Sequence, residues 1–338
     1  MKLFSAFSIA AFARRPAVLT ALAILLITHA ASAGELEDRM AYWESQALTC
    51  PAGADYIASP AKQPEGAPPP PCGDGDMTLF NGLLCAAGDE RGCAAVADAQ
   101  NPVTGEWFRS PRLRSLGTYS GATFSPDMAL GVQLYLIKKK DAVRGEKWLK
   151  WIMDNNPCYF KICGYCVYLD FPSFCPTPNC AVRPGDAAVL AETVNYLQTA
   201  AGMPQLPKSN LKKYLKGMSG KAPLIDAINA MVNQEGYSEH LTGVSILVSQ
   251  LAGRTDPELK AAAAILALRN PGNAFFSYIS GGDKDQLLAE TLARCPFSTD
   301  PSTPPLIQWQ YERANGEQAW KNSCYWDCVF MGKIIQGM

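Results

Sequence analysis

Residues 125–137 read SPDMALGVQLYLI and predict a helix that lies in the interior of the protein. Ser125 suits the N-cap, Pro126 suits the first helical position, and Asp127 interacts favourably with the positive end of the helix dipole. From Met128 onward, apolar residues occupy nearly every side of the helix. Such a helix is expected to be buried all round rather than amphipathic.

Helical periodicity extends from this stretch over most of the chain. Short Gly- or Pro-containing links join the predicted helices, and they favour antiparallel hairpins. About a dozen such helices can close into a double ring, so we predict an all-α fold, an (α/α) toroid with long irregular loops. An open helical bundle is the alternative. Besides the helix after Ser125, the predicted helices are 35–48, 77–87, 90–99, 141–155, 186–202, 207–217, 222–234, 238–253, 257–269, 273–280, 283–294, 306–313 and 325–336.

Composition sets limits on the class of protein. The chain has 338 residues, of which 48% are hydrophobic and 18% charged, so it can bury a large core. Its formal net charge of −1 argues against a nucleic-acid partner.

Residues 1–33 have the features of a signal peptide. Three basic residues precede an apolar run at 17–27, and Ala-Ser-Ala at 31–33 fits a cleavage site. We therefore expect a periplasmic or secreted single domain over 34–338, without membrane insertion after cleavage. An uncleaved anchor is the alternative, although the apolar run is short for a span. After cleavage the only histidine is His240.

All twelve cysteines lie after the predicted cleavage site, and an even number in an exported chain predicts disulfides. Cys85 and Cys93 flank a predicted helix–turn–helix and form the best single pair. If all twelve pair and the first four pair among themselves, at least one bridge must join the middle and C-terminal groups. The alternative is a metal site in the Cys-rich insertion near 156–184, formed by Cys163, Cys166, Cys175 and Cys180.

Acidic residues occur where predicted loops meet helices, and in a toroid those junctions converge on one cleft. Asp76, Asp127 and Asp327 are the catalytic candidates, with Asp74 and Glu312 as substrate-binding neighbours. Closely spaced carboxyls raise one pKa and so create a proton donor. The alternatives are that each aspartate caps a helix, that Glu312 forms an ion pair, or that Asp74 and Asp76 belong to a calcium loop whose downstream ligands are absent.

Glycosidic cleavage needs one protonated carboxyl and one carboxylate, and it requires neither histidine nor metal. This chemistry fits a chain that is poor in histidine, so we expect no cofactor and no catalytic metal. Aromatic faces that stack on sugars account for the aromatic side chains near the acids, although packing in the core is the more common role of any one of them. The remaining substrate-binding candidates are Trp107, Arg109, Tyr119, Trp309, Tyr311, Trp326 and His240.

Three motifs carry a resemblance to known proteins. The pattern Ser125-Pro-Asp-Met-x-x-Gly-Val-x-Leu-Tyr, followed by Trp148-x-x-Trp151-Ile, resembles the inner and outer helix pairs of (α/α)-toroid carbohydrate-active enzymes. Trp326-Asp-Cys-x-Phe-Met-Gly is similar to the helix that closes such rings. The resemblance implies acidic pairs at loop–helix junctions, which would fall on Asp76, Asp127 and Asp327.

The sequence thus predicts an exported glycoside hydrolase that cleaves a polysaccharide or glycan by a paired-carboxylate acid/base mechanism. One alternative is a non-catalytic glycan-binding or interaction protein on the same scaffold. Another is a polysaccharide lyase that uses His240 and a tyrosine, and a thiol enzyme is the last. Sugar identity and oligomeric state stay open.

Overall fold

The computed structural model describes residues 34–45, 47, 49–51, 55–57, 75–116, 124–155, 160–163, 165–168, 172–176, 180–295 and 326–338. Side chains at 51, 55, 160–161, 165–168 and 326–327 are left out of the description. The predicted signal peptide at 1–33 and the predicted helix at 306–313 lie outside the described residues.

The described part of the chain is mostly helical, which confirms the all-α class. Residues 34–45 form α1, and the helices of the first half are α2 (Met77–Ala86), α3 (Glu90–Asp98), α4 (Pro111–Leu116), α5 (Pro126–Lys139) and α6 (Ala142–Asp154). Those of the second half are α7 (Pro184–Ala200), α8 (Asn210–Met218), α9 (Ala222–Val232), α10 (Tyr237–Leu251), α11 (Pro257–Arg269), α12 (Ala274–Ile279) and α13 (Lys284–Arg294). A π-helical turn at Trp326–Phe330 leads into α14 (Met331–Gly337).

Two short antiparallel hairpins interrupt the helices. Strand β1 (Thr49–Pro51) pairs with β2 (Asp55–Ile57), and β3 (Phe160–Ile162) pairs with β4 (Tyr165–Tyr168). Strands of three or four residues are too short to show a period-2 pattern, so periodicity does not predict them. The short helix α4 likewise lies within a stretch that was expected to be irregular.

The buried helix α5 is the centre of the core, as its sequence predicts. Every residue from Met128 to Ile137 is buried. It crosses α2 closely, because a Cβ at Gly82 would lie 2.3 Å from the carbonyl oxygen of Gly131, and one at Gly131 would lie 2.1 Å from that of Thr78. Only glycine permits this approach of two helix backbones.

Three disulfides are present in the described residues. Cys85–Cys93 joins α2 to α3, which confirms the predicted pair. The others are Cys175–Cys180 and Cys295–Cys328. The Cys175–Cys180 bond takes two of the four thiols away from the alternative metal site. Cys163 is free and exposed, so the premise that all twelve cysteines pair is wrong.

Among the described residues, no helix is long and apolar enough to span a lipid bilayer.

Candidate functional site

A cleft of about 370 Å³ opens where the first turns of α5, α7 and α10 meet the length of α9. Its size is in the range of small-molecule sites. The described side chains and backbone that line it are Pro126, Asp127, Leu130, Arg183, Gly185, Asp186, Val189, Ile225, Asp226, Asn229, Asn233, Ser238, Leu241, Thr242 and Ser245.

The sequence places helix starts at this cleft through ordinary start signals. Pro126 and Pro184 occupy the first positions of α5 and α7, and Gly236 precedes α10 with a φ of 105°, a conformation that favours glycine. Backbone N–H groups in a first turn have no partner within the helix. Both α5 and α7 therefore present polar backbone and an acidic side chain, Asp127 or Asp186, to the cleft.

Asp127 is held by two hydroxyl groups. Ser125 is at the N-cap position of α5, but its side chain makes no cap bond and instead donates to Asp127 Oδ1. The Tyr237 hydroxyl, from the first turn of α10, donates to Asp127 Oδ2. Both contacts use the side chain as an acceptor, and together they fix its orientation in the half-buried rim of the cleft.

Arg183 supplies the positive charge at the rim. Its Nε and Nη2 atoms donate to the two carboxylate oxygens of Asp186 at 2.8 and 3.0 Å, a bidentate pair. The hydrogen bond to Asp186 raises the pKa of Arg183, and the charge of Asp127 acts in the same direction. Arg183 is thus near both carboxylates.

Asp226 on α9 is the exceptional acid of the cleft. Its side chain is only 2% exposed, and its Oδ1 accepts one hydrogen bond, at 2.8 Å, from Ser245 on α10. Within the described residues its Oδ2 has no hydrogen-bond partner. Burial raises the pKa of Asp226 to about 7, and the Ser245 hydroxyl offsets part of that rise. This carboxyl therefore keeps a proton at pH values where an ordinary aspartate has lost it.

The cleft thus combines two kinds of carboxyl group. Asp226 is a proton donor near neutral pH, whereas Asp127 accepts hydrogen bonds from two hydroxyls. General acid–base chemistry uses carboxyl groups whose surroundings differ in this way.

Of the two predicted catalytic acids whose side chains the structure describes, Asp127 lines the cleft and Asp76 does not. Asp76 precedes α2 but makes no side-chain cap, and its Oδ1 instead lies 3.1 Å from Nη1 of Arg109 in an ion pair. Neither of these two residues lines the cleft. The side chain of Asp327 lies outside the described residues.

Trp107 is a core residue, and its predicted role as a stacking surface for sugar is corrected. The side chain is fully buried, its indole N–H donates to the Val96 carbonyl at 2.7 Å, and its ring lies edge-on to those of Tyr135 and Trp148. No face of this ring is open to a ligand.

His240 is also a core group. It is 3% exposed and stacks on Phe80 and Tyr237, with Phe275 tilted against it. Burial holds the pKa of His240 well below its usual range, so the imidazole is neutral at pH 7. It does not line the cleft, which corrects its predicted contact with substrate.

The other predicted binding residues are outside the part of the chain whose side chains the structure describes. They are Asp74, Tyr119, Trp309, Tyr311, Glu312 and Trp326.

Sequence reasoning missed Asp226, the acid with the most unusual surroundings. It lies within α9, whose sequence APLIDAINAMV is typical of a partly buried helix. A signal was present, because Asp226 is the only charged residue in this apolar segment. Asp226 lies in the middle of α9, whereas the predicted acids lie at loop–helix junctions.

No group of three or more His, Cys, Asp or Glu side chains among the described residues is arranged to hold a metal ion. Comparisons of the chain with models of protein families, with curated proteins and with solved structures find no match.

Proposed function

We propose that this protein is an exported glycoside hydrolase in which Asp226 is the general acid and Asp127 is the catalytic carboxylate. The observation that carries the proposal is the buried carboxyl of Asp226, which lines a cleft and has a pKa of about 7. A protonated carboxyl beside a carboxylate is what cleavage of a glycosidic bond requires.

In this mechanism Asp226 donates its proton to the glycosidic oxygen as the bond to the anomeric carbon breaks. Asp127 stabilises the positive charge that develops on the sugar ring and acts on the anomeric carbon or on the attacking water. Tyr237 and Ser125 are positioning residues, because their hydroxyls orient Asp127. Water supplies the group that replaces the leaving alcohol.

The rest of the cleft suits a sugar. Asn229, Asn233 and Thr242 offer amide and hydroxyl groups to sugar hydroxyls, and the Asn233 amide donates to Thr242 Oγ1 at 2.9 Å. Leu130 and Leu241 give the apolar surface against which sugar C–H groups can pack. A polysaccharide or other glycan is therefore the proposed substrate class.

The toroid arrangement of the helices and the export of the chain belong to the same proposal. Three disulfides in the described residues support an oxidising compartment. The lyase alternative is less favoured, because His240 is buried among Phe80 and Phe275 rather than in the cleft.

The test is release of reducing ends from a panel of soluble polysaccharides and of cell-wall glycan. Asp226→Asn and Asp127→Asn should each lower turnover by about 10²- to 10⁴-fold, the usual contribution of general acid–base catalysis. Asp154→Asn is the control, since Asp154 is exposed on α6 and pairs with Lys150.

Equal turnover in the wild type and both cleft variants would overturn the proposal. Glycan binding without any release of reducing ends by the wild type would overturn it in favour of a binding protein.

A further inference from the structure

A second pocket, of about 200 Å³, lies between α7 and α8. It is smaller than the usual site for a drug-sized ligand and suits a single small molecule. Helix α7 contributes Asp186 and Val189 to the cleft but Val194 and Gln198 to this pocket. At about 100° per residue these two sets lie on opposite sides of the helix. The pocket is therefore separate from the cleft, and the proposed hydrolase activity does not use it.

Two lysines of α8 give the pocket a positive charge. Lys212 and Lys216 both line it, and none of its described lining residues is acidic. The Lys212 Nζ donates to the Leu206 carbonyl at 2.6 Å, and the ion pairs among the described residues involve neither lysine. Glu192, the acid on this stretch of α7, pairs with Arg254 instead and does not line the pocket. No described acid therefore balances the charge of the two lysines.

The position of Lys212 makes this charge informative. Its side chain is partly buried between α7 and α8, whereas Lys213, the next residue, is exposed to water. An ammonium group that has lost part of its water is costly unless an anion accompanies it. The pocket therefore favours an anionic ligand over a neutral one.

The other polar groups of the pocket suit a ligand that is rich in hydroxyls. Asn195, Gln198, Gln205 and Ser219 line it, and Val194 adds apolar surface. The Gln205 amide donates to Gln198 Oε1 at 3.0 Å, and the Asn195 amide donates to Ser219 Oγ at 3.1 Å, so these groups are already oriented. Each amide has more donors and acceptors than these bonds use, and the remaining ones can bind hydroxyls.

We propose that this pocket binds a small sugar that carries an anionic group, either a carboxylate or a phosphate. The ammonium groups of Lys212 and Lys216 pair with the anion, and the amides of α7 and of Gln205 bind the hydroxyls of the ring. Lysine acts as a point charge, so it accepts either anion, whereas the planar fork of arginine suits bidentate pairing. The inference rests on this pocket alone, so it and the proposed hydrolase activity can fail independently.

Titration of the full chain with glucuronate, glucose 6-phosphate and glucose, followed by nitrogen-15 NMR of the backbone amides, tests the inference. At least one of the two anionic sugars should bind at least about tenfold more tightly than glucose, and its affinity should fall as salt rises. The amide shifts should be largest in α7 and α8. The anionic sugar that binds should also bind more tightly than its bare anion, acetate or inorganic phosphate, because the bare anion lacks the hydroxyls.

A pair of double variants separates the pocket from the general charge of α8. Lys212→Gln combined with Lys216→Gln should weaken binding at least about tenfold, because it removes both ammonium groups from the pocket. Lys208→Gln combined with Lys213→Gln is the matched control. It changes the net charge equally, but both of its lysines are exposed and neither lines the pocket, so it should retain binding. Circular dichroism checks that each variant is folded.

Four results would overturn the inference. The first two are no binding of either anionic sugar and binding of glucose with equal affinity. The third is equal affinity for the bare anion, which would mean that the lysines attract any anion and that the amides read no sugar. The fourth is an equal loss of binding in the two double variants, which would assign the effect to overall charge.

Discussion

Two buried acids on neighbouring helices, Glu239 and Asp226, differ in their partners, because one has a cation beside it and the other has only a hydroxyl among the described residues. Glu239 at the start of α10 is 1% exposed, and its Oε1 lies 2.9 Å from Nη2 of Arg269, while Asn270 donates to its Oε2 at 2.9 Å. Asp226 on α9 is 2% exposed, and within the described residues its hydrogen-bond partner is the hydroxyl of Ser245. Glu239 is paired with a cation, whereas burial raises the pKa of Asp226, which has no ion pair among the described residues.

Glu239 is not alone in being paired. Glu192, which is 3% exposed, lies 3.4 Å from Arg254, and Asp89, which is 5% exposed, lies 2.6 Å from Arg91. Ion pairing is the usual solution for a buried acid. A buried carboxyl without a cation costs stability, and at Asp226 that cost coincides with a cleft, which is where chemistry would use a protonated acid.

The largest expected effect is on the pH dependence of stability, through Asp226→Asn. The pKa of Asp226 is raised to about 7 in the folded state and is about 3.9 in the unfolded state. Between those values the folded state binds more protons, so the free energy of unfolding of the wild type falls as pH rises, by up to about 1.4 kcal/mol per pH unit. Asparagine does not titrate, so the free energy of unfolding of the variant does not fall in this way. It should exceed that of the wild type by about 4 kcal/mol at pH 8 and should equal it at pH 4.

Urea unfolding at pH 4, 6 and 8 measures the difference, with Asp154→Asn as the exposed control. A difference between Asp226→Asn and the wild type that does not change with pH would mean that Asp226 has an ordinary pKa.

A smaller effect is expected at the paired acid. Arg269→Ala leaves the buried Glu239 without its cation and should lower the free energy of unfolding by about 3 kcal/mol, the lower end of the range for a broken buried pair, because the guanidinium is about a third exposed. It also removes the donors to the Ala230 and Asn233 carbonyls at the end of α9. Chemical denaturation measures the loss.

Lys150→Ala is the comparison, since its pair with Asp154 is exposed and should contribute less than about 1 kcal/mol. Equal losses for Arg269→Ala and Lys150→Ala would show that the cation beside the buried Glu239 stabilises the fold no more than one in an exposed pair.

The smallest effect is expected for Ser245→Ala. It removes the hydrogen bond to Asp226 Oδ1, which should cost about 1 kcal/mol and raise the pKa of Asp226 further, because that bond lowers it. Ser249→Ala is the matched control one helical turn later. Its buried hydroxyl has no hydrogen-bond partner within the described residues, so its removal should be nearly neutral. Thermal unfolding measures the melting temperature of both variants. Equal shifts in melting temperature for Ser245→Ala and Ser249→Ala would argue against the hydrogen bond between Ser245 and Asp226.

Much of the fold follows from local patterns in the sequence. The apolar run after Pro126 predicts a helix buried on all sides, and α5 is such a helix. The spacing of Cys85 and Cys93 predicts their disulfide, because it depends only on a short helix–turn–helix. Features that depend on residues close together in the chain can therefore be predicted from the sequence.

The site depends on contacts between distant segments, and there the sequence was less informative. Asp127 was found because it has a local signature at the start of a helix. Asp226 owes its pKa to burial against α10, and the single charge in the apolar sequence of α9 does not specify that contact. Trp107 and His240 were chosen for their chemistry, but burial assigns both to the core.

A carbon-13 NMR titration of the aspartate carboxyls, with the Asp226 signal assigned by its loss in Asp226→Asn, tests the central claim most directly. The account predicts a midpoint near pH 7 for Asp226. A midpoint near pH 4, the value of an ordinary aspartate, would contradict it.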